Sequence, residues 1–131
     1  MDTDRYDDEG NLRNGPYEES FSNGEISTRG RHVDGMKTGR WQYFYNNGQL
    51  QAVGDYEHDE IAGAWEWYRK EGRLMQTGGF VAGQKDGVWS RYHKNGELLD
   101  SGVYTAGKRT GRWEYFDESG ATLRTKDFPT V

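Results

Sequence analysis

Gly39-Arg40-Trp41-Gln42-Tyr43-Phe44-Tyr45-Asn46-Asn47-Gly48-Gln49-Leu50 decides the fold, because it recurs. Gly-x-Trp appears at Gly39/Trp41, Gly63/Trp65, Gly87/Trp89 and Gly111/Trp113, so successive tryptophans lie 24 residues apart. The aromatic three places later keeps step as Phe44, Tyr68, Tyr92 and Phe116. So do the turn glycines Gly24, Gly48, Gly72, Gly96 and Gly120. Further on come Gly30, Gly54, Gly78 and Gly102, each followed two places later by His32, Tyr56, Phe80 or Tyr104. Columns that hold one interval without drift mark a repeat array.

Each unit contains two short runs, such as Trp41–Asn46 and Gln49–Tyr56, separated by a glycine turn. Asn-Gly between alternating runs signals a hairpin, and a type I′ turn at Asn47-Gly48 is expected. The cross-strand pairs then place Trp41 opposite Gly54, Trp65 opposite Gly78, Trp89 opposite Gly102 and Tyr17 opposite Gly30. In the last unit Trp113 meets Lys126 and Arg112 meets Asp127. A glycine opposite each regular indole suggests that the ring lies over that same glycine. The stretch Glu57–Gly63 and its equivalents read as longer loops joining one hairpin to the next. The glycine density and lack of a 3.6-residue apolar stripe make helix unexpected anywhere.

The expected fold is all-β: an elongated, twisted, single-layer antiparallel meander of about five β-hairpin repeats with a 24-residue period. One array spans 1–131, with an acidic lead-in over 1–14, repeats over 15–128 and a tail over 129–131. An edge strand is expected around Arg5–Asp8. Tyr17 in place of Trp, and Lys126 in place of Gly, mark the outer units as degenerate caps.

Composition narrows function. The chain is 32% hydrophobic but 15% aromatic, with 19 glycines, which suits a thin protein whose core is one stripe of rings. Net charge is −5, and the acidic excess lies in residues 1–25. That disfavours nucleic acid and anionic lipid and admits a basic protein partner. There is no cysteine, no apolar run of about 18 residues and no signal-peptide pattern; a cytoplasmic location is expected. His32, His58 and His93 occupy different columns, and no nucleophile, metal-ligand or phosphate-loop motif occurs. No catalysis, metal or cofactor is expected.

Alternation places Trp41, Tyr43, Tyr45, Leu50, Ala52, Gly54 and Tyr56 on one face, the core. The other face carries Phe44, Tyr68, Tyr92 and Phe116 beside Met75, Leu99 and Leu123, more apolar surface than a solvated face needs. Phe44, Tyr68, Met75, Tyr92, Leu99 and Phe116 are therefore the candidate partner-binding residues. A curved sheet burying both stripes by itself is the competing reading.

The pattern Gly-x-Trp-x-x-(Phe/Tyr)-x-x-x-Gly-x-Leu-x-x-x-Gly-x-(Tyr/Phe)-x-x-Gly-x-x-x-Gly resembles the MORN repeats in their bacterial variant form. Gly39 through Gly63 matches it except at Asp59, and Gly87 through Gly111 matches throughout. The resemblance covers residues 15–128. It implies the same hairpin meander, and a scaffold or protein-binding role, with links to membranes for some members. Many short bacterial members are similar to antitoxin or immunity proteins. From this, the expected function is a non-catalytic module that binds and neutralises a partner protein such as a basic toxin or effector. The alternative is a scaffold that self-associates edge to edge. A membrane-associated repeat is disfavoured, since no basic cluster is visible along the chain.

Overall fold

The computed structural model describes residues 4–130. Eleven strands form one open antiparallel sheet, and no helix occurs among the described residues. In chain order they are β1 (Gly15–Ser20), β2 (Ile26–Val33), β3 (Met36–Lys37), β4 (Gly39–Phe44), β5 (Leu50–Glu57), β6 (Glu60–Tyr68), β7 (Leu74–Val81), β8 (Gln84–Tyr92), β9 (Leu98–Thr105), β10 (Lys108–Phe116) and β11 (Thr122–Phe128). Each main strand pairs with its sequence neighbours, giving the expected meander. The short β3 pairs only with β2 and, with β4, matches what β6, β8 and β10 form as single strands.

The cross-strand partners are those the repeat arithmetic sets: Trp41↔Gly54, Trp65↔Gly78, Trp89↔Gly102, Tyr17↔Gly30 and Trp113↔Lys126. The turns differ from expectation, and they exchange places. At Tyr45–Gln49 only Gly48 has positive φ, at 86°. Its N–H donates to Tyr45 O at 3.0 Å and Tyr45 N–H donates to Gln49 O at 2.8 Å. This is a type I turn closed by a glycine bulge, with three loop residues instead of two. A second irregularity, which leaves Gln51 without a partner, restores the register beyond Phe44↔Leu50. The two deviations cancel, so a two-residue turn and this one pair Trp41 with the same glycine.

The tight type I′ turns lie at the opposite end, where longer loops were expected. Asp34-Gly35, His58-Asp59, Ala82-Gly83 and Ala106-Gly107 all have positive φ at both positions. They close Val33↔Met36, Glu57↔Glu60, Val81↔Gln84 and Thr105↔Lys108. The backbone freedom the connection needs appears instead as a bulge inside the following strand. Gly39, Gly63, Gly87 and Gly111 take φ of 67–84° there, and Val53↔Glu66 gives way to Asp55↔Ala62.

That bulge seats the core. Each indole lies over the glycine of the preceding hairpin, not over its own cross-strand partner: Trp41 over Gly30, Trp65 over Gly54, Trp89 over Gly78 and Trp113 over Gly102. The seat is polar as well as steric. Trp65 Nε1 donates to Asp55 O at 3.2 Å, and Trp89 Nε1 to Gly79 O at 3.1 Å. The expectation that Gly78 lies beneath Trp65 is therefore corrected: Gly78 carries Trp89. Lys126 follows from the same geometry, because among the described residues no indole rests on β11, and its position has no need of glycine.

The core is a ladder of rings. All four seated indoles are 1–4% exposed. Tyr56 meets Trp41 and Trp65 edge to face at 5.9 and 5.4 Å, Phe80 meets Trp65 and Trp89 at 6.5 and 5.3 Å, and Tyr104 meets Trp89 and Trp113 at 5.6 and 5.2 Å. T-shaped contacts set the positive edge of one ring against the negative face of the next. His32 takes the same place in the first unit, buried between Tyr17 and Trp41.

The lead-in is not an edge strand. Tyr6 and Leu12 form an isolated bridge around a turn at Asp7–Gly10, where Gly10 has φ 85°. Gly10-x-Leu12 repeats the Gly48-x-Leu50 turn pattern outside the 24-residue interval. This short hairpin joins the array: Gly35 N–H donates to Arg13 O at 2.8 Å, as Asp59 N–H does to Lys37 O at 2.9 Å.

Candidate partner-binding surface

The aromatic three places after each indole pairs with the residue two places after the turn glycine: Phe44↔Leu50, Tyr68↔Leu74, Tyr92↔Leu98 and Phe116↔Thr122. Residues directly opposite on an antiparallel ladder share a face. Leu50 therefore sits with Phe44 and not with Trp41, a correction caused by the second bulge. Met75 and Leu99 are the unpaired bulge residues beside these pairs. The result is one stripe along the turn end of the sheet, across from the indoles. Phe44, Tyr68, Met75, Tyr92, Leu99 and Phe116 are all half-buried, and none belongs to the fully buried core of Trp41, Ala52, Val53, Trp65, Trp89 and Trp113.

The backbone beneath the stripe is pinned by the preceding unit. Tyr45 Oη donates to Tyr68 O at 2.7 Å, Arg69 Nη2 donates to Tyr92 O at 2.8 Å, and His93 Nε2 lies 2.9 Å from Phe116 O. A second set ties the turns themselves. The side-chain amides of Asn23, Asn47 and Asn95 donate to the carbonyls of Asn46, Lys70 and Glu118 at 2.8–2.9 Å. Where Glu71 interrupts the column, Arg73 Nη1 donates to Lys94 O at 2.7 Å instead. Asparagine at this position serves these cross-links. Burial, followed by the charge and hydrogen bond of Glu66, raises the Tyr68 hydroxyl above its ordinary pKa.

Two features were missed in the sequence. Arg13, Lys37, Lys85 and Arg109 hold the 24-residue interval, Ile61 replacing the cation in the third unit. Their charged ends lie 4.7–5.2 Å from the Tyr17, Trp41, Trp89 and Trp113 ring centroids. The signal was legible, but it falls in connections whose other residues vary. The second is a group of exposed valines, Val81, Val88 and Val103, with Val88 paired to Val103. The equivalent pair in the preceding unit is Ala64↔Gly79, and those outside these two are Arg40↔Asp55 and Arg112↔Asp127, so the central hairpins are more apolar on that face than the outer ones.

Residues 37–58 and 85–105 match the family model described as "MORN repeat variant". Each match runs from the cation of one tight turn to the next tight turn, and so covers one hairpin of the array. The intervening hairpin, β6–β7, has the same pairing and the same seated indole. MORN repeats are generally protein- or membrane-binding modules of a non-catalytic repeat type. No curated protein matches the chain. Among solved structures the chain is similar, at 14% identity and a TM-score of 0.31, to one described as "Crystal structure of GtfA/B complex bound to UDP and GlcNAc". The similarity covers 84% of this chain and 21% of that one. Among the described residues no helix is long and apolar enough to cross a membrane.

Proposed function

We propose that the protein is a binding module of antitoxin or immunity type, which neutralises a partner protein by covering it with the stripe Phe44, Tyr68, Met75, Tyr92, Leu99 and Phe116. The observation supporting this reading is the division of labour between the two faces. The indole ladder supplies nearly all of the buried core, Val53 of the opposite face excepted, while the stripe residues stay half-buried on a backbone already pinned by its neighbours. Tyr and Phe on a rigid support offer large contact area at little cost in rotamer entropy. The acids of residues 1–25 would steer a basic toxin or effector and act mainly on association rate.

The reading is tested by growth rescue. A protein captured from the source cells by the wild-type chain is expressed alone and together with it. The reading requires that the captured protein arrest growth alone, that co-expression relieve the arrest, and that Tyr68→Ala with Tyr92→Ala abolish the relief while remaining folded. Relief by the folded double variant equal to wild type would place the contact elsewhere.

A further inference from the structure

The aromatic ladder is broken in one regular unit, and the break forms a site. Two places after each indole the sequence carries Tyr43, Trp67, Arg91 and Tyr115. Tyr43 lies stacked 6.4 Å from both Trp41 and Trp65, and Trp67 lies 6.0 Å from Trp65 and 5.4 Å from Trp89. Between Trp89 and Trp113 the ring is missing. Arg91 stands there and turns its guanidinium onto Asp100, with Nε 3.1 Å from both carboxylate oxygens. Asp100 is 1% exposed, whereas the Arg91 side chain is about half exposed. The missing ring leaves a hollow of about 150 Å³ on the indole face.

Cations surround it. Lys85 Nζ lies 5.0 Å from the Tyr104 ring centroid, and Arg109 Nε donates to Tyr104 Oη at 3.3 Å, so one tyrosine holds both. Arg109 Nη1 also donates to Tyr115 Oη at 3.4 Å. With Arg91 they place three positive charges against the single carboxylate of Asp100, in a chain whose net charge is −5. The Trp89, Tyr104 and Trp113 rings fix the cations and form one part of a lining that is otherwise polar. The equivalent hollow of the first unit is lined by Glu19 and Asp4 against Lys37, so there the carboxylates outnumber the cations.

We infer that the hollow bounded by Lys85, Arg91 and Arg109 binds an organic carboxylate, either a small free acid or a Glu or Asp side chain of a protein. Asp100 neutralises one face of Arg91 and holds it in place; Lys85, Arg109 and the outer edge of Arg91 meet the ligand. The Trp89, Tyr104 and Trp113 rings beside the cations offer a surface for the hydrocarbon stem of an organic acid, which an inorganic anion lacks. This site lies on the indole face and does not depend on the stripe.

The test follows indole N–H resonances of wild-type protein during titration with benzoate, with benzamide as the uncharged counterpart, and with a capped pentapeptide carrying one central glutamate. Benzoate or the peptide should shift Trp89 and Trp113 saturably and leave Trp41 in place, while benzamide does nothing. The tighter of the two identifies the source as free acid or protein side chain. Lys85→Gln with Arg109→Gln leaves the Arg91–Asp100 pair intact and should weaken binding at least about tenfold, as expected from losing two charge-assisted contacts. If that variant loses its dispersed indole spectrum, wild-type binding at rising salt decides, because a carboxylate held by cations weakens as salt rises. Absence of saturable shifts with both ligands, equal shifts with benzamide, equal shifts at Trp41, or unchanged affinity in the folded variant would each overturn the assignment.

Discussion

Replacing Gly78 by alanine tests the seat on which the ladder is built. A Cβ at Gly78 would lie 2.1 Å from Trp89 Cδ2, 2.2 Å from Cε2 and 2.5 Å from Cε3. Ordinary contact begins near 3.4 Å, so the ring must move by more than an ångström. Phe80 and Tyr104 grip it edge to face on both sides, at 5.3 and 5.6 Å, and close-packed neighbours yield little. Overpacking typically costs about 1–3 kcal/mol; a rigid indole and backbone place this case at or above the upper limit. We expect Gly78→Ala to cost about 3 kcal/mol or more, a large share of the roughly 5–15 kcal/mol of a whole domain. Urea unfolding followed by tryptophan fluorescence measures the cost, and the indole N–H spectrum shows which ring moved. Lys126→Ala, at a position with no indole above it, should change stability by less than about 1 kcal/mol. A Gly78→Ala cost below about 1 kcal/mol, or a displaced Trp65 with Trp89 unmoved, would refute the seating.

Other expectations follow from the same packing. Burial first, then the charges of Arg13 and Lys37, hold the His32 pKa below its ordinary value; the unfolded chain therefore binds the proton more readily, so the stability His32 contributes is full above about pH 6.5 and falls as pH drops below it. His32→Phe matches Phe80 and Phe128 in the same column and should remove that part of the acid-side decline in urea midpoint; an unchanged pH profile would contradict it. Asn47→Ala loses the bonds from its amide to Lys70 O and from Gln49 N–H to its Oδ1, at 2.9 and 3.0 Å, and should cost about 1 kcal/mol in the same assay. Amide exchange should be fastest in the two outer strands, β1 with four of six residues exposed and β11 with six of seven; protection there equal to that of the inner strands would argue against fraying from the ends.

The pairing was legible because one interval fixes it: glycine stands opposite each regular indole, and any hairpin centred near Asn47-Gly48 delivers that register. Turn types were not legible. Asn-Gly favours type I′, yet Asn47 keeps negative φ and is used for its side-chain amide, while Ala82 and Ala106, which turn rules disfavour, adopt φ of 51° and 49°. Two bulges cancel in the pairing arithmetic and remain invisible to it, although they move Leu50 to the Phe44 face. Pairing also could not tell a glycine beside an indole from a glycine beneath one. Tyr17 and Lys126 held that information, since the seat is needed only where another indole follows. The stripe residues were identifiable as a surplus of apolar columns, but their half-burial depends on the bulges. The cation site at Arg91 needed the fold, because Lys85 and Arg91 on β8 meet Arg109 on β10 only across the intervening β9.

The division between a core face and a binding face is tested most directly by one comparison, made with Tyr68→Ala and Tyr92→Ala combined. Circular dichroism and urea unfolding report the fold, and calorimetric titration with the captured partner reports binding. The account predicts a native near-ultraviolet spectrum, a cooperative transition and an affinity weakened at least about tenfold, or roughly 1.4 kcal/mol. A double variant that unfolds would assign those rings to the core, and a folded one that binds as tightly as wild type would remove the stripe from the contact.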